Sequence, residues 1–328
     1  MSRFLIRRLL NMIPLMLGIT FISFCAMSLV PGDFVSNLKM NPKITPEVIH
    51  QLQVQFGLDK PLLVRYGKWL WGVMHLDLGY SLQYRVSVTS LIAARAFNTV
   101  ILALASMVFS WVLAVPIGII VAVRQNSIWD RVLSFFAFLG MSIPNFFLAF
   151  LMVDLAMHLG KPWLPPGGTF SVDYDQLDFV NRVADRINHL ILPVFVLGVS
   201  GMAGLMRLMR SQILEIKNSE FVRTARAKGL SERIVIYKHV LRNALNPFVT
   251  MAGYSLGDLL GGAALVEAVM NLQGLGLLLL NAVRSLDIYL VMGSVLIGTV
   301  LLLVGNLLAD IALVAVDPRV DFSSVASE

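Results

Sequence analysis

Residues 9–30 run for 22 positions without a charged side chain, ending at Pro31, Gly32 and Asp33. About 20 apolar residues in a helix match the roughly 30 Å of hydrocarbon in a bilayer. Six stretches meet this length: Leu9–Val30, Phe97–Val123, Val132–Leu159, His189–Met206, Phe248–Met270 and Ile288–Val316. The fourth is the shortest. Lipid offers no partner to a backbone N–H or C=O, so each crossing must satisfy its own hydrogen bonds. The expected fold is all-α, a polytopic membrane protein with six transmembrane helices. Composition agrees: 57% of the 328 residues are hydrophobic and 14% are charged, against about a quarter charged in a soluble domain.

A net charge of +6 raises the question of nucleic acid, and its distribution answers it. With both termini inside, the inner segments (1–8, 124–131, 207–247 and 317–328) hold 15 Lys and Arg in 69 residues, and the outer ones 11 in 112. That bias is the positive-inside pattern of membrane topology, so no nucleic-acid partner is expected. Both termini are placed in the cytoplasm. The N-terminal apolar run is too long for a secretory signal and lacks a small-x-small cleavage site, so it reads as an uncleaved first span. Cys25, the single cysteine, lies within that span and reads as a small buried hydrophobe.

The chain divides into residues 1–96, holding the first span and an extracytoplasmic region, and residues 97–328, a five-helix core. In the first part Pro46–Phe56 has helical spacing, with Gly57 as its stop. Leu62–Met74, with Trp69 and Trp71, reads as a helix either lying at the membrane surface or packed against the bundle. Pro14, Pro116, Pro144 and Pro193 fall inside spans, where each removes a helical hydrogen bond and favours a kink. In the fifth span Gly253, Gly257 and Gly261 recur every four residues, a face of small residues that lets another helix approach closely.

Chemistry is sparse. The five histidines are scattered, and no HExxH, G-x-S-x-G or phosphate-binding G-x-x-x-x-G-K-[ST] sequence occurs. The chain is expected to have no catalytic residue, no metal ligand and no means of hydrolysing ATP. Asp154, Glu267 and Asp310 lie near span ends, where solvation accounts for them. Asp258 is ten residues into its span, about 15 Å deep at 1.5 Å per residue. It either lines a translocation path or hydrogen-bonds to another helix.

Between two apolar runs sits "EFVRTARAKGLSERIVIYKHVLRNALNP", Glu220 to Pro247. Two short helices are expected. Phe221, Val222 and Ala225 share a face of the first, with Arg223, Arg226 and Lys228 around the rest. Gly229 closes it in the left-handed conformation. Ser231 is placed as N-cap of the second, with Ile234, Tyr237, Leu241 and Leu245 at helical spacing. A 41-residue inner segment exceeds what topology requires, and its apolar faces point to docking against a cytoplasmic partner.

This stretch resembles the cytoplasmic loop of permease subunits of ATP-binding-cassette importers, written EAA-x3-G-x9-I-x-L-P. It is closer still to the peptide-permease branch, whose loop reads near "RTARAKGL…LRNAL.P", here Arg223 to Pro247. "VPGD" (Val30–Asp33), "FGLDKP" (Phe56–Pro61), "LDLGYS" (Leu76–Ser81), "SIPNFF" (Ser142–Phe147), "NLLAD" (Asn306–Asp310) and "DPRV" (Asp317–Val320) resemble landmarks of the same branch. The chain is thereby similar to the first-permease (B-type) subunits of the dipeptide, oligopeptide and nickel family, with a type I importer fold. The resemblance implies a bacterial inner-membrane permease forming half of a translocation path. It implies four partners: a second homologous permease, two cytoplasmic ATPases and an extracytoplasmic substrate-binding protein. It also implies that ATP and Mg bind to the ATPases, with no cofactor on this chain. Within the coupling loop at about 207–247 it singles out Arg223, Thr224, Ala225, Arg226, Ala227, Lys228 and Gly229. Asp258 and Asn145 are placed near the path. Di- or oligopeptide is the expected cargo, with nickel, glutathione or oligosaccharide carried by similar permeases. An ion-gradient-driven secondary transporter is the alternative; it would need coupled intramembrane acids and inverted repeats, and only one deep acid is visible.

Overall fold

A computed structural model describes residues 2–30, 32, 45, 47, 50–51, 54, 57, 60–248, 251 and 264–316. In chain order the elements are α1 (Ser2–Leu29), α2 (Leu62–Met74), β1 (Tyr80–Ser81), β2 (Val86–Ser87), α3 (Val88–Val123), α4 (Ile128–Ser142) and α5 (Asn145–Leu159). There follow α6 (Phe179–Ile216), α7 (Glu220–Ala227), α8 (Glu232–Ile234), a π-helical turn (Val235–Val240), α9 (Leu241–Ala244), α10 (Leu275–Arg284) and α11 (Ile288–Val316). The two strands form a small antiparallel hairpin, Tyr80 opposite Ser87 and Ser81 opposite Val86.

Among the described residues, four helices are long and apolar enough to cross a bilayer: Ile6–Leu29, Val88–Val123, Phe179–Ile216 and Ile288–Ile311. The expected third span, Val132–Leu159, is not one rod. It is α4 followed by α5, bent by 100°. Ile143 (φ −87°, ψ 123°) and Pro144 (φ −58°, ψ 137°) are both extended at the break, as the proline ring demands of the residue before it. Pro14, Pro116 and Pro193 remain inside continuous helices. The expected fourth span, His189–Met206, is the apolar middle of the 38-residue α6. At 1.5 Å per residue α6 is about 57 Å long, so its charged ends continue the helix beyond any hydrocarbon layer. Likewise α3 starts at Val88, nine residues before the apolar run. The expected fifth span falls mostly outside the described residues, of which 264–269 are helical. Gly253, Gly257, Asp258 and Gly261 lie outside them.

Contacts group the chain into two compact units, Met1–Thr99 with Gln273–Leu303, and Val100–Leu272 with Val304–Glu328. In the first, Phe24 and Met27 of α1 join Tyr66 and Trp69 of α2, Val88 and Ile92 of α3, and Leu278, Leu290 and Met292 in one core. Helix α2 is therefore packed on the bundle: the Tyr66 hydroxyl donates to Leu17 O at 3.1 Å and lies 3.0 Å from Thr20 Oγ1. Trp69 Nε1 donates to Leu78 O, while Trp71 is exposed.

In the second unit α6 carries the core. Its Leu192, Val196 and Leu197 pack with Leu148, Ala149 and Ala156 of α5 and with Val266 and Met270. Farther along, Ala203, Met206, Met209 and Ile213 pack with Ala114 and Ala122 of α3. Glu267 is 0% exposed, which corrects the expectation that solvation at a span end accounts for it. A buried carboxylate must be satisfied from within the fold. Asp154 does meet solvent, beside His158 one turn on.

Candidate functional site

The charged stretch after α6 folds as an elbow. Ser219, extended at φ −70° and ψ 155°, precedes α7. Gly229 takes φ +77°, and the chain closes as a Schellman motif: Leu230 N donates to Ala225 O and Gly229 N to Arg226 O. Left-handed backbone suits glycine because it has no Cβ to clash. Ser231 sits at the start of α8 with extended backbone, as expected, but its side chain makes no capping bond.

The buried face differs from the one that 3.6-residue spacing suggests. Val222 and Ala225 of α7, and Val235, Ile236, Val240, Ala244 and Phe248 beyond the bend, are buried against α3 and α6. Ile234 (44% exposed) and Tyr237 (61%) face outward, and so does Phe221 (47%). Leu241 and Leu245 are only partly buried. A π turn underwinds Val235–Val240, and the inward positions are Val235 and Ile236, then Val240, Ala244 and Phe248 at four-residue steps.

Magnitudes decide what anchors the elbow. Fully burying a Val or Phe side chain contributes roughly 1.5–3 kcal/mol, while an exposed ion pair contributes about 0–1 kcal/mol. The apolar face therefore holds the elbow, and the polar contacts set its angle. Arg226 grips Glu232 with two bonds, Nη2 to Oε1 at 2.8 Å and Nε to Oε2 at 3.1 Å. Its third nitrogen reaches Lys217 O at the end of α6. This pairing draws the Glu232 carboxyl below its ordinary range and raises Arg226 further. Arg223 pairs with Glu220 at 2.8 Å within α7, and Thr224 Oγ1 donates to Glu220 O.

Of the loop residues singled out, Arg223, Thr224, Ala227, Lys228 and Gly229 are exposed, Arg226 is half-buried and Ala225 is buried in the chain's own core. The outward surface thus combines Phe221, Leu230, Ile234 and Tyr237 with Arg223, Lys228, Arg233 and Lys238. Sequence spacing picks out Phe221, Ile234 and Tyr237 of this outward face and misses the inward Val235, Ile236, Val240 and Ala244. Asn145 is half-buried at the first position of α5, beside the bend.

These features define a multi-pass helical membrane protein with an anchored, outward-facing basic and apolar elbow. The chain belongs to the family of binding-protein-dependent transport system inner membrane components, which matches residues 114–322; the N-terminal counterpart of that family matches residues 1–103. It is 40% identical to the oligopeptide transport system permease protein AppB of Bacillus subtilis, over 98% of this chain and 100% of that protein. It is 36% identical to the dipeptide transport system permease protein DppB of Escherichia coli K12, over 98% and 99%. Its fold is similar to a chain of the MetNI methionine ABC transporter solved in an inward-facing conformation. That match has 20% identity and a TM-score of 0.53, covering 69% of this chain and 96% of the other.

Proposed function

We propose that this chain is the first-permease subunit of an ATP-binding-cassette importer for di- or oligopeptides. Its relatives' names support the cargo, and the observation that carries the mechanism is the two-faced elbow. One face, with Val222, Val235 and Val240, is locked into the chain's own core. The other, with Phe221, Ile234 and Tyr237 among basic residues, is exposed among the described residues and fits a groove on a cytoplasmic ATPase. Such an elbow moves as a rigid piece, so a shift of the ATPase passes into α6, because packed interfaces switch between discrete arrangements. ATP and Mg reside on two ATPase partners; this chain supplies no hydrolytic residue. A second permease completes the path and an extracytoplasmic binding protein delivers peptide, with both termini of this chain in the cytoplasm. Arg223, Thr224, Ala227, Lys228 and Gly229 form the contact surface, and Arg226 fixes the bend. Asn145 and Asp258 border the path, and Gly253, Gly257 and Gly261 admit a neighbouring helix.

The test is Gly229→Trp in the assembled transporter. Gly229 has left-handed backbone and open space around it, so the substitution strains the elbow and adds bulk on its outer side while sparing the core. Membrane insertion persists, and peptide uptake and co-purification of the ATPases are lost. Normal uptake by this variant would overturn the coupling assignment.

A further inference from the structure

We propose that the ion pair between Asp130 and Arg210 makes α4 follow α6, so that a displacement of the elbow reaches the bend at Ile143 and Pro144; this rests on the importer reading above. Of the 15 residues of α4, only Asp130 and Ala137 are buried. Alanine offers a single methyl, so the carboxylate is the main tie at the start of this helix. Asp130 is 7% exposed and gathers three segments. Its Oδ2 accepts from Asn126 N, in the turn before α4, at 2.9 Å and from Arg210 Nη2 of α6 at 3.2 Å. Its Oδ1 accepts from Ser134 Oγ, one turn along α4, at 3.3 Å. A carboxylate is held in a buried position by such a set of donors and a cation together.

Arg210 joins that tie to the elbow. Met209 and Ile213, its neighbours along α6, are 0% exposed and share a core with Val222, Val235 and Val240 of the elbow. A shift of the elbow therefore carries this stretch of α6, since a close-packed interior transmits displacement. Arg210 holds Asp130 by Nη2, while its Nε is buried without a hydrogen-bond partner among the described residues. Toward its other end α4 meets α6 again. Arg207 Nη2 donates to Met141 Sδ at 3.8 Å, and its guanidinium lies 5.6 Å from the centre of the Phe138 ring. A Cβ at Gly140 would lie 2.8 Å from Val199 Cγ1, so the helices are close there too. Tied at both ends, α4 moves with α6, and it ends at Ser142, directly before the bend that leads to Asn145. Asp130 and Arg210 are positioning residues for transport: they touch no cargo and act through α4.

The experiment uses the complete transporter in proteoliposomes, with the second permease, the ATPases and the binding protein, and with labelled dialanine and tetra-alanine as cargo. It reads peptide taken up per ATP hydrolysed, beside the thermal midpoint of the complex. The double variant Asp130→Asn/Arg210→Met removes both charges together, so no unpaired charge stays buried, and asparagine still offers an acceptor to Asn126 N. It melts near wild type and still hydrolyses ATP, while its uptake per ATP falls about fivefold. Arg210→Lys keeps a cation beside Asp130 and restores most of the wild-type ratio, which a role in stability alone does not predict. Where the double variant melts low, Arg210→Gln takes its place, with the same fall expected. A variant without the ion pair that melts as wild type and keeps its uptake per ATP overturns the tie and leaves the importer reading standing. A wild-type complex with no ATP-dependent uptake of either peptide overturns the importer reading itself.

Discussion

The Ser81 hydroxyl donates a 2.7 Å hydrogen bond to the Asp287 carboxylate, across 206 positions of sequence. The same carboxylate oxygen accepts from Gln83 N at 3.1 Å, and the other accepts from Leu290 N at 3.3 Å. Asp287 is 0% exposed. It caps the start of α11 and holds the hairpin turn against it, an acceptor at the positive end of a helix.

Because Asp287 is fully desolvated, losing a donor leaves part of its charge unmatched, at a cost of about 1–3 kcal/mol. Ser81→Ala is expected to lower the thermal midpoint of the purified protein by a few degrees. Asp287→Ala, which removes three acceptor contacts at once, lowers it further. If Ser81→Ala melts with wild type, the clamp contributes nothing to stability.

The two faces of the elbow should separate genetically. Val235→Asp or Val240→Asp places a charge in the core and unfolds or depletes the protein, since an unpaired buried charge is strongly unfavourable. Ile234→Asp and Tyr237→Glu alter only exposed positions. Membrane level and melting then stay near wild type, while co-purification of the ATPases and peptide uptake fall. Should Ile234→Asp and Tyr237→Glu transport normally, the outward face is not the docking surface.

Much of this arrangement was legible in the sequence. Apolar runs located α1, α3, α6 and α11 because lipid enforces length and composition. Gly229 announced its bend because left-handed backbone is a glycine property. Three things were hidden. The bend at Ile143 and Pro144 was obscured because four prolines fell within apolar runs and only one breaks its helix. The inward residues of the elbow, Val235, Ile236, Val240 and Ala244, were hidden because a π turn underwinds Val235–Val240 and breaks the regular α repeat that spacing assumes. The Ser81–Asp287 clamp was invisible because neither local spacing nor periodicity links residues so far apart. "LDLGYS" resembles a family landmark, but the partner that makes its serine matter, Asp287, lies at the start of the last helix.

The Arg226–Glu232 pair adds a pH dependence to the bend. Arg226 holds the Glu232 carboxyl below its ordinary value, so the folded state favours the ionised form. The stabilisation is fully present above the unfolded glutamate value of about 4.3 and is lost as pH falls through the lowered folded value. Both side chains are partly exposed, so screening keeps the pair below about 1 kcal/mol. Comparing Glu232→Gln with wild type across pH reads this directly. The gap between their melting points is small and steady at neutral pH and closes in acid. Arg226→Lys does not restore wild-type behaviour, since an ammonium cannot make the paired contacts of a guanidinium. A gap that is unchanged from neutral to acid pH would refute the assignment.

Close approach of α3 and α6 gives the last prediction. A Cβ at Gly118 would lie 2.6 Å from Met209 Cβ, 2.9 Å from Met209 Cγ and 3.0 Å from Met206 O. A Cβ and a carbonyl oxygen belong to the framework of α6 and cannot swing away, so the helices must move apart. Overpacking of this kind costs roughly 1–3 kcal/mol. Gly118→Ala is expected to lower the melting point, and Gly118→Leu to lower it more. Gly204, also in α6, has nothing within 4 Å of its would-be Cβ. Gly204→Ala gains the helix preference of alanine, about 1 kcal/mol, and is neutral or stabilising. The two alanine variants share the same change in composition and differ only in what the new methyl meets. If both shift the melting point equally, helix separation at Gly118 is not the cause.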